Sequence, residues 1–262
     1  TVTLGGGFQS VQVLGLNGDD NIDLSGLGAG LASNYTIIGG AGNDTIVGTL
    51  QVDQIFGGEG NDNLVGGPAN DFVYGGLGND TIGGAVAGSD DPGDDFFFGG
   101  DGADTFIWEP GDGRDVISGG DDGADVFDFR GRGTAGDVMT LAANGLGGVA
   151  ASFNAASIVL GGVENVSISP GDGGTADVAV GDLTGTEVSI IDVVLPAAGT
   201  SDFVFIDGRD VADDINITNV GNTAAVHGLD YDIIVFLSVA GEDRLTVNGN
   251  AGDDSIKACL LY

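Results

Sequence analysis

The sequence predicts an all-β protein, a right-handed parallel β-solenoid, and three observations carry that expectation. A nine-residue period runs without a break from Gly39 to Gly83. The chain of 262 residues holds 52 Gly and 35 Asp against only 5 Glu, and short carboxylates beside glycine belong to turns, whereas Glu is the helix-favoured acid. Outside the period, short runs alternate apolar and polar residues with the two-residue repeat of strands.

Five units make the unbroken array: GGAGNDTIV (39–47), GTLQVDQIF (48–56), GGEGNDNLV (57–65), GGPANDFVY (66–74) and GGLGNDTIG (75–83). After GAVAGS (84–89) the frame resumes as DDPGDDFFF (90–98), GGDGADTFI (99–107), PGDGRDVIS (110–118) and GDDGADVFD (120–128). The sixth place is always acidic: Asp44, Asp53, Asp62, Asp71, Asp80, Asp95, Asp104, Asp115 and Asp125. The eighth is always apolar: Ile46, Ile55, Leu64, Val73, Ile82, Phe97, Phe106, Ile117 and Phe127.

Each unit is expected to spend six residues on a turn, in which glycine supplies positive φ and close backbone approach, and three on a strand whose eighth-place side chain points inward. Two units then form one 18-residue coil, and stacked coils bury a narrow core that one coil cannot close. Layers about 4.8 Å apart bring the aspartate of one unit near that of the unit two later. One edge aligns Asp44, Asp62, Asp80, Asp104 and Asp125; the other aligns Asp53, Asp71, Asp95 and Asp115. Carboxylates stacked this way repel unless a cation lies between them, and a glycine-rich turn with one Asp offers calcium the mixed carboxylate and carbonyl oxygens it accepts. Carbonyls of Gly39, Gly57, Gly75 and Gly99 are the expected co-ligands. Because the first edge is built from GGAGND, GGEGND, GGLGND, GGDGAD and the slightly shifted GDDGAD, and the second from GTLQVD, GGPAND, DDPGDD and PGDGRD, tight binding is expected on the first and weak or incomplete binding on the second.

The array resembles the glycine-rich nonapeptide G-G-x-G-x-D-x-U-x of bacterial RTX proteins, over residues 39–128. That resemblance implies a calcium-loaded β-roll holding several Ca2+ ions. It adds Gly66 and the third-place residues Ala41, Glu59, Leu77 and Asp101 to the metal set. It further implies export through a type I channel, an unfolded state in the calcium-poor cytosol and folding in external calcium.

Around the array, residues 1–38 read as N-terminal solenoid turns, 129–162 as a loop-rich connection with MTLAAN (139–144) as a short helix, and 163–262 as wider, irregular solenoid turns. The strands of that last part are ENVSI, ADVAV, EVSIIDVV, DFVFI, DDINITNV, DIIVFL and DRLTV, and a compact β-sandwich is the alternative there. LNGDDNIDLSGL (16–27) recurs as GNAGDDSIKACLL (249–261), with Asp20 matching Asp254 at a separation of 234. The chain therefore reads as one period of a longer tandem protein. NGDD and AGDD are half-turns, balanced between ion binding and plain turn acids.

Composition excludes several functions. One His and one Cys cannot build a zinc cage or a disulfide framework. A formal charge of −34 with six Lys and Arg repels nucleic acid and anionic membranes. No apolar run of about 18 residues exists for a membrane span, and no secretory n-region or h-region opens the chain, so it reads as a soluble, excised or processed piece. Apolar residues make up 42% of the chain, enough for a packed core once the charge is compensated.

No catalytic motif is present, and an enzyme is not expected. His227 reads as a surface or turn residue, Trp108 as packing at the end of the array and Cys259 as structural. Phe97 is expected inside with Phe96 and Phe98 outside, and Arg130, Arg132, Arg209 and Arg244 as local ion-pair partners. The function these features favour is a calcium-binding structural segment of a secreted or cell-surface protein, such as an adhesin stalk, a surface layer or a filament subunit. Its partners would be copies of itself or further tandem repeats. The alternative is an accessory domain of an exported hydrolase or epimerase, or a β-helix that binds cell-surface polysaccharide.

Overall fold

An apolar residue two places after each aspartate, flanked by residues that turn outward, gives a three-residue strand too short to stand alone. Stacking is what stabilises it. The computed structural model describes residues 9–27, 34–84, 91–120, 122–131, 137–154, 156–171, 176–195, 202–209, 213–220, 223–229, 231–236 and 244–260. The chain divides into two units, Thr1–Val126 and Phe127–Tyr262, and no helix occurs among the described residues.

In the first unit the strands are β1 (Ser10–Asn17), β2 (Asn21–Asp23), β3 (Asn34–Ala41), β4 (Thr45–Val47), β5 (Asp53–Glu59), β6 (Asn63–Val65), β7 (Phe72–Leu77), β8 (Thr81–Gly83), β9 (Phe96–Asp101), β10 (Thr105–Trp108) and β11 (Val116–Ser118). Odd and even strands form separate parallel stacks, in the orders β1-β3-β5-β7-β9-β11 and β2-β4-β6-β8-β10. The register advances by one 18-residue coil, as in Ile37 on Ile55 and Ile46 on Leu64.

Every eighth-place side chain of the array is at most 3% exposed. Each contributes about 1.5–3 kcal/mol by burial. Strands β3, β5, β7 and β9 of the odd stack run on into the following GGx, so they are longer than the three residues expected. The ladder passes over one residue there: Ile38 pairs with Phe56 and Gly40 with Gly58, while Gly39 and Gly57 face each other unpaired in the register. The same omission falls at Gly57 and Gly75 and at Gly75 and Gly99. On the outer face Phe56, Tyr74 and Phe98 stack at 5.0 and 4.8 Å, and Phe72 stacks on Phe96 at 5.1 Å. Phe97 lies inside, as its place in the repeat demands.

The second unit takes in β12 (Val126–Arg130), β13 (Asp137–Ala143), β14 (Val149–Phe153), β15 (Ala156–Gly161), β16 (Asn165–Ser169), β17 (Ala176–Val180), β18 (Ile190–Val194), β19 (Phe203–Asp207), β20 (Asp214–Val220), β21 (Thr223–His227), β22 (Asp232–Phe236), β23 (Arg244–Asn248) and β24 (Ser255–Leu260). Its sheets run β15-β14-β13-β17-β19-β23 and β12-β16-β18-β22-β21-β20-β24. Two antiparallel meanders, β13-β14-β15 and β20-β21-β22, interrupt an otherwise parallel stack.

The first meander corrects two expectations. The loop-rich connection carries three strands, and MTLAAN is extended, with Met139 and Leu141 buried and Thr140 meeting the Ser152 hydroxyl at 2.6 Å. Helix-favouring Ala and Leu lost to a period-two pattern that a sheet face rewards. The 234-residue echo is structural as well: β1 and β23 begin at Ser10 and Arg244, and β2 and β24 at Asn21 and Ser255.

Candidate metal centre

Each sixth-place aspartate is held by the turn beneath it. On the first edge the backbone N–H of Asp44 donates to Oδ1 of Asp62 at 2.7 Å, Asp62 to Asp80 at 2.8 Å, Asp80 to Asp104 at 2.8 Å and Asp104 to Asp125 at 2.7 Å. Asp20 heads the same column, donating to Asp44 at 2.8 Å. These bonds fix Oδ1. Oδ2 of Asp20, Asp44, Asp62, Asp80 and Asp104 is buried without any hydrogen-bond partner.

The surroundings of those orphaned oxygens fit a hard cation. A side chain at Gly39 would collide with Oδ2 of Asp44 and the carbonyl oxygen of Gly57, and Gly57, Gly75 and Gly99 stand in the same relation to Asp62, Asp80 and Asp104 and to the carbonyls of Gly75, Gly99 and Gly119. Each first-place glycine therefore faces a carboxylate oxygen from its own turn and a carbonyl from the next. Gly57, Gly75 and Gly99 are residues that the strand register passes over, while the Gly119 carbonyl accepts the Gly100 N–H at 2.9 Å. Third-place Ala41, Glu59, Leu77 and Asp101 carbonyls accept N–H bonds from Gly18, Gly42, Gly60 and Gly78 at 2.6–2.8 Å, leaving each a second lone pair. No three acidic, His or Cys side chains converge on a point among the described residues, so an ion held here must take backbone carbonyls among its ligands, as calcium does.

The second edge repeats the ladder, with the Asp53 N–H on Asp71 Oδ1 at 2.7 Å, Asp71 on Asp95 at 2.7 Å and Asp95 on Asp115 at 2.9 Å. Its ends are satisfied by the protein. Thr49 donates its N–H and hydroxyl to Asp53 at 2.5 and 3.2 Å, and the Trp108 indole donates to Asp115 Oδ2 at 2.8 Å. A side chain at Gly48 would meet the Gly66 carbonyl and Asp53 Oδ2. Between these ends Oδ2 of Asp71 and Asp95 is orphaned, as are both oxygens of Asp91.

Burial, before any other cause, pushes these carboxyls up from the usual range. Asp53 rises to about 6, Asp80 and Asp115 to about 7, Asp95 to about 8, and Asp71 and Asp91 to about 9. Neighbouring carboxylates add to the rise, as Asp104 and Asp62 do at Asp80. Asp62 and Asp104 are raised by burial too. Without a cation the columns tend to hold protons.

The second unit contains the same turn with a different solution. A side chain at Gly208 would meet Oδ2 of Asp213, and one at Gly249 would meet Oδ2 of Asp254. The Asp213 N–H donates to Asp254 Oδ1 at 3.0 Å, as in the array. Here Arg209 donates its N–H to Asp213 Oδ2 at 2.8 Å and its Nε–H to Oδ1 at 2.6 Å.

Sequence reasoning named the array's columns and left Asp20, in NGDD, balanced between ion binding and a plain turn acid; it missed Asp91, Asp112 and the identity of Arg209's partner, Asp213. Gly15 carries the signal for Asp20, since the five-residue step to the aspartate is that of Gly39 to Asp44. A fifth-place ladder was missed as well: Asn61 and Asn79 donate their N–H groups to the side chains of Asn43 and Asn61 at 2.8 Å. Arg130 and Arg209 are local ion-pair partners as expected, Arg130 with Asp128 at 2.8 Å; Arg244 lies over the Phe203 ring, and Arg132 lies outside the described residues. His227, half-exposed, bonds Asp232 Oδ1 at 2.8 Å, and Cys259 lies on β24.

The family model for the RTX calcium-binding nonapeptide repeat (4 copies) matches residues 30–55, 47–82 and 89–107. Comparison with curated proteins finds no match for this chain.

Proposed function

We propose that this chain, which carries RTX calcium-binding nonapeptide repeats, is a calcium-rigidified structural segment of a secreted or cell-surface protein. It serves as a stalk, surface-layer or filament element and folds once outside the cell. One observation carries the reading: columns of buried carboxylates in which Asp44, Asp62, Asp80 and Asp104 on the first edge and Asp71 and Asp95 on the second each have one oxygen fixed by a backbone N–H and the other unpaired. Their positions suit ions shared between Asp44 and Asp62, Asp62 and Asp80, and Asp80 and Asp104, with glycine carbonyls as co-ligands. Such ions would neutralise part of the −34 charge and add their binding free energy to folding. Nothing in the described columns pairs a nucleophile with a base.

A calcium titration of the whole chain, followed by circular dichroism and sedimentation, tests this. A coil-to-β transition at micromolar to millimolar calcium, with larger species forming, supports it; a fold indifferent to chelator at the array sinks it. The flat aromatic ladder Phe56–Tyr74–Phe98 favours a second reading, polysaccharide binding by ring stacking. Glycan-array binding lost on Tyr74→Ala separates the two.

A further inference from the structure

The nonapeptide fixes the aspartate and the inward apolar side chain and leaves the outward positions of each strand free to vary. Those positions follow a rule of their own. In β1, β3, β5, β7, β9 and β11 the inward column is Val13, Ile37, Ile55, Val73, Phe97 and Ile117. The residues flanking each of these are Gln, Leu, Thr, Ile, Phe, Tyr, Val and Ser, and none is charged. In a chain with 40 acidic residues and a formal charge of −34, a sheet face without one charge stands apart from the acidic turns beside it.

Two features give that face its chemistry. Its aromatic side chains stack in two columns, Phe72 on Phe96 at 5.1 Å, and Phe56, Tyr74 and Phe98 at 5.0 and 4.8 Å. Beside them a cleft of about 290 Å³ opens among Ser10, Asn34, Thr36, Val52, Gln54 and Phe72. Phe72 belongs to both, since one face of its ring lies on Phe96 and its neighbour on the other side in the sheet is Gln54. Ser10, Asn34 and Gln54 are exposed and Thr36 is half-buried. The cleft therefore presents two carboxamides and two hydroxyls that donate and accept hydrogen bonds, with no ionised group among them.

A flat aromatic surface that ends in uncharged amides and hydroxyls suits one class of ligand. The C–H face of a sugar ring stacks on aromatic rings, and its hydroxyls match groups that both donate and accept. An anionic polysaccharide would meet the field of the −34 chain, and so would a second copy laid on this face, whereas a neutral sugar meets neither repulsion. The cleft lies at the small end of ligand sites, with room for one or two sugar units.

We infer that the outer face of β1, β3, β5, β7 and β9 binds a neutral polysaccharide, with one sugar unit seated in the cleft against Phe72 and Gln54 and the chain continuing over Tyr74 and its stacked neighbours. This inference rests on the ring-stacking reading and narrows it to an uncharged ligand and a named seat.

Calorimetry on the full chain in excess calcium tests it, with dextran, galactan and laminarin as neutral probes and polygalacturonate as the anionic one. At least one neutral probe is expected to bind, and polygalacturonate is not. Gln54→Ala, at an exposed position, and Phe72→Leu, which keeps an apolar side chain, are each expected to weaken that binding about tenfold. Asn63→Ala, on the outer face of the even stack, leaves it unchanged, and circular dichroism checks that every variant folds. Neutral binding lost in Tyr74→Ala but altered less than about twofold in both cleft variants overturns the inference and leaves the ring-stacking reading in place, as does a preference for polygalacturonate. If no probe binds, or if Tyr74→Ala only dissolves contacts between copies seen by sedimentation, both fail.

Discussion

The turns Gly39–Asp44 and Gly208–Asp213 share a plan and differ in how they balance charge. Both place glycine five residues before a buried aspartate, and both hand an N–H to the aspartate of the next turn. In the array the second place is Gly40, and Asp44 Oδ2 is left unpaired; in the second unit it is Arg209, and both oxygens of Asp213 are bonded by that one residue. The turn therefore needs a cation in either case. Where the sequence builds in a guanidinium, the fold carries its own; where it supplies glycine, the ion must come from solution.

Chelation should separate the two most strongly. With calcium removed at neutral pH, amide exchange in 45–47, 53–59 and 72–77 should become fast, while 203–207 and 244–248 stay protected. Hydrogen exchange with mass spectrometry reads both in one sample. Equal loss in both regions would mean that Arg209 does not substitute for an ion.

Acid should partly stand in for calcium, a smaller effect. Asp53, Asp71, Asp80, Asp91, Asp95 and Asp115 are raised to about 6 to 9 in the ion-free fold, against about 3.9 in an unfolded chain. The ion-free fold thus binds more protons than the unfolded chain. Its stability is greatest below pH about 4 and falls as pH rises through 6 to 9. In chelator, lowering the pH from 7.5 to 5 should restore β-structure to the first unit by circular dichroism. In calcium the sign is opposite, because protons compete for the same oxygens.

A single ligand in the middle of the first column comes next. Asp80→Ala removes an oxygen from the steps on both sides, and its Oδ1 no longer accepts the Asp62 N–H. The calcium midpoint for folding is expected to rise about tenfold, equivalent to about 1.4 kcal/mol. A titration showing an unchanged midpoint would remove Asp80 from the ligand set.

How far the sequence reached follows the same division. Where the period is strict, one apolar residue two places after each aspartate gave the strand, its inward face and its register, while the aspartate of GGxGND is buried in the turn. The long odd strands were not legible, since a glycine pair reads as a turn, and only the stack shows GGx remaining extended. Met139–Ala143 misled because Ala and Leu favour helix locally while neighbours distant in sequence decide the sheet. Asp91 escaped because a pattern search scores the sixth place and ignores an extra acid at the second, where burial of both oxygens carries the signal.

Arg209 tests the comparison at its smallest scale. Arg209→Ala leaves Asp213 buried without its cation, a loss of about 3–5 kcal/mol when both partners are fully buried. Here it should be nearer 2 kcal/mol, because the Arg209 side chain is 23% exposed while that of Asp213 is fully buried. Arg209→Lys keeps the charge but lacks the guanidinium's extra donors, and should lose less. Arg209→Gly creates the GG pair of the array, so its loss in chelator should be recovered by calcium, with one more ion bound than in the natural chain. Calorimetric counting decides it. Recovery in Arg209→Gly without recovery in Arg209→Ala would show that glycine at the second place opens the turn to the ion; recovery in neither would mean that the carbonyls at Gly208 and Gly249 are wrongly aimed, and that the likeness between the two turns ends at their hydrogen bonds.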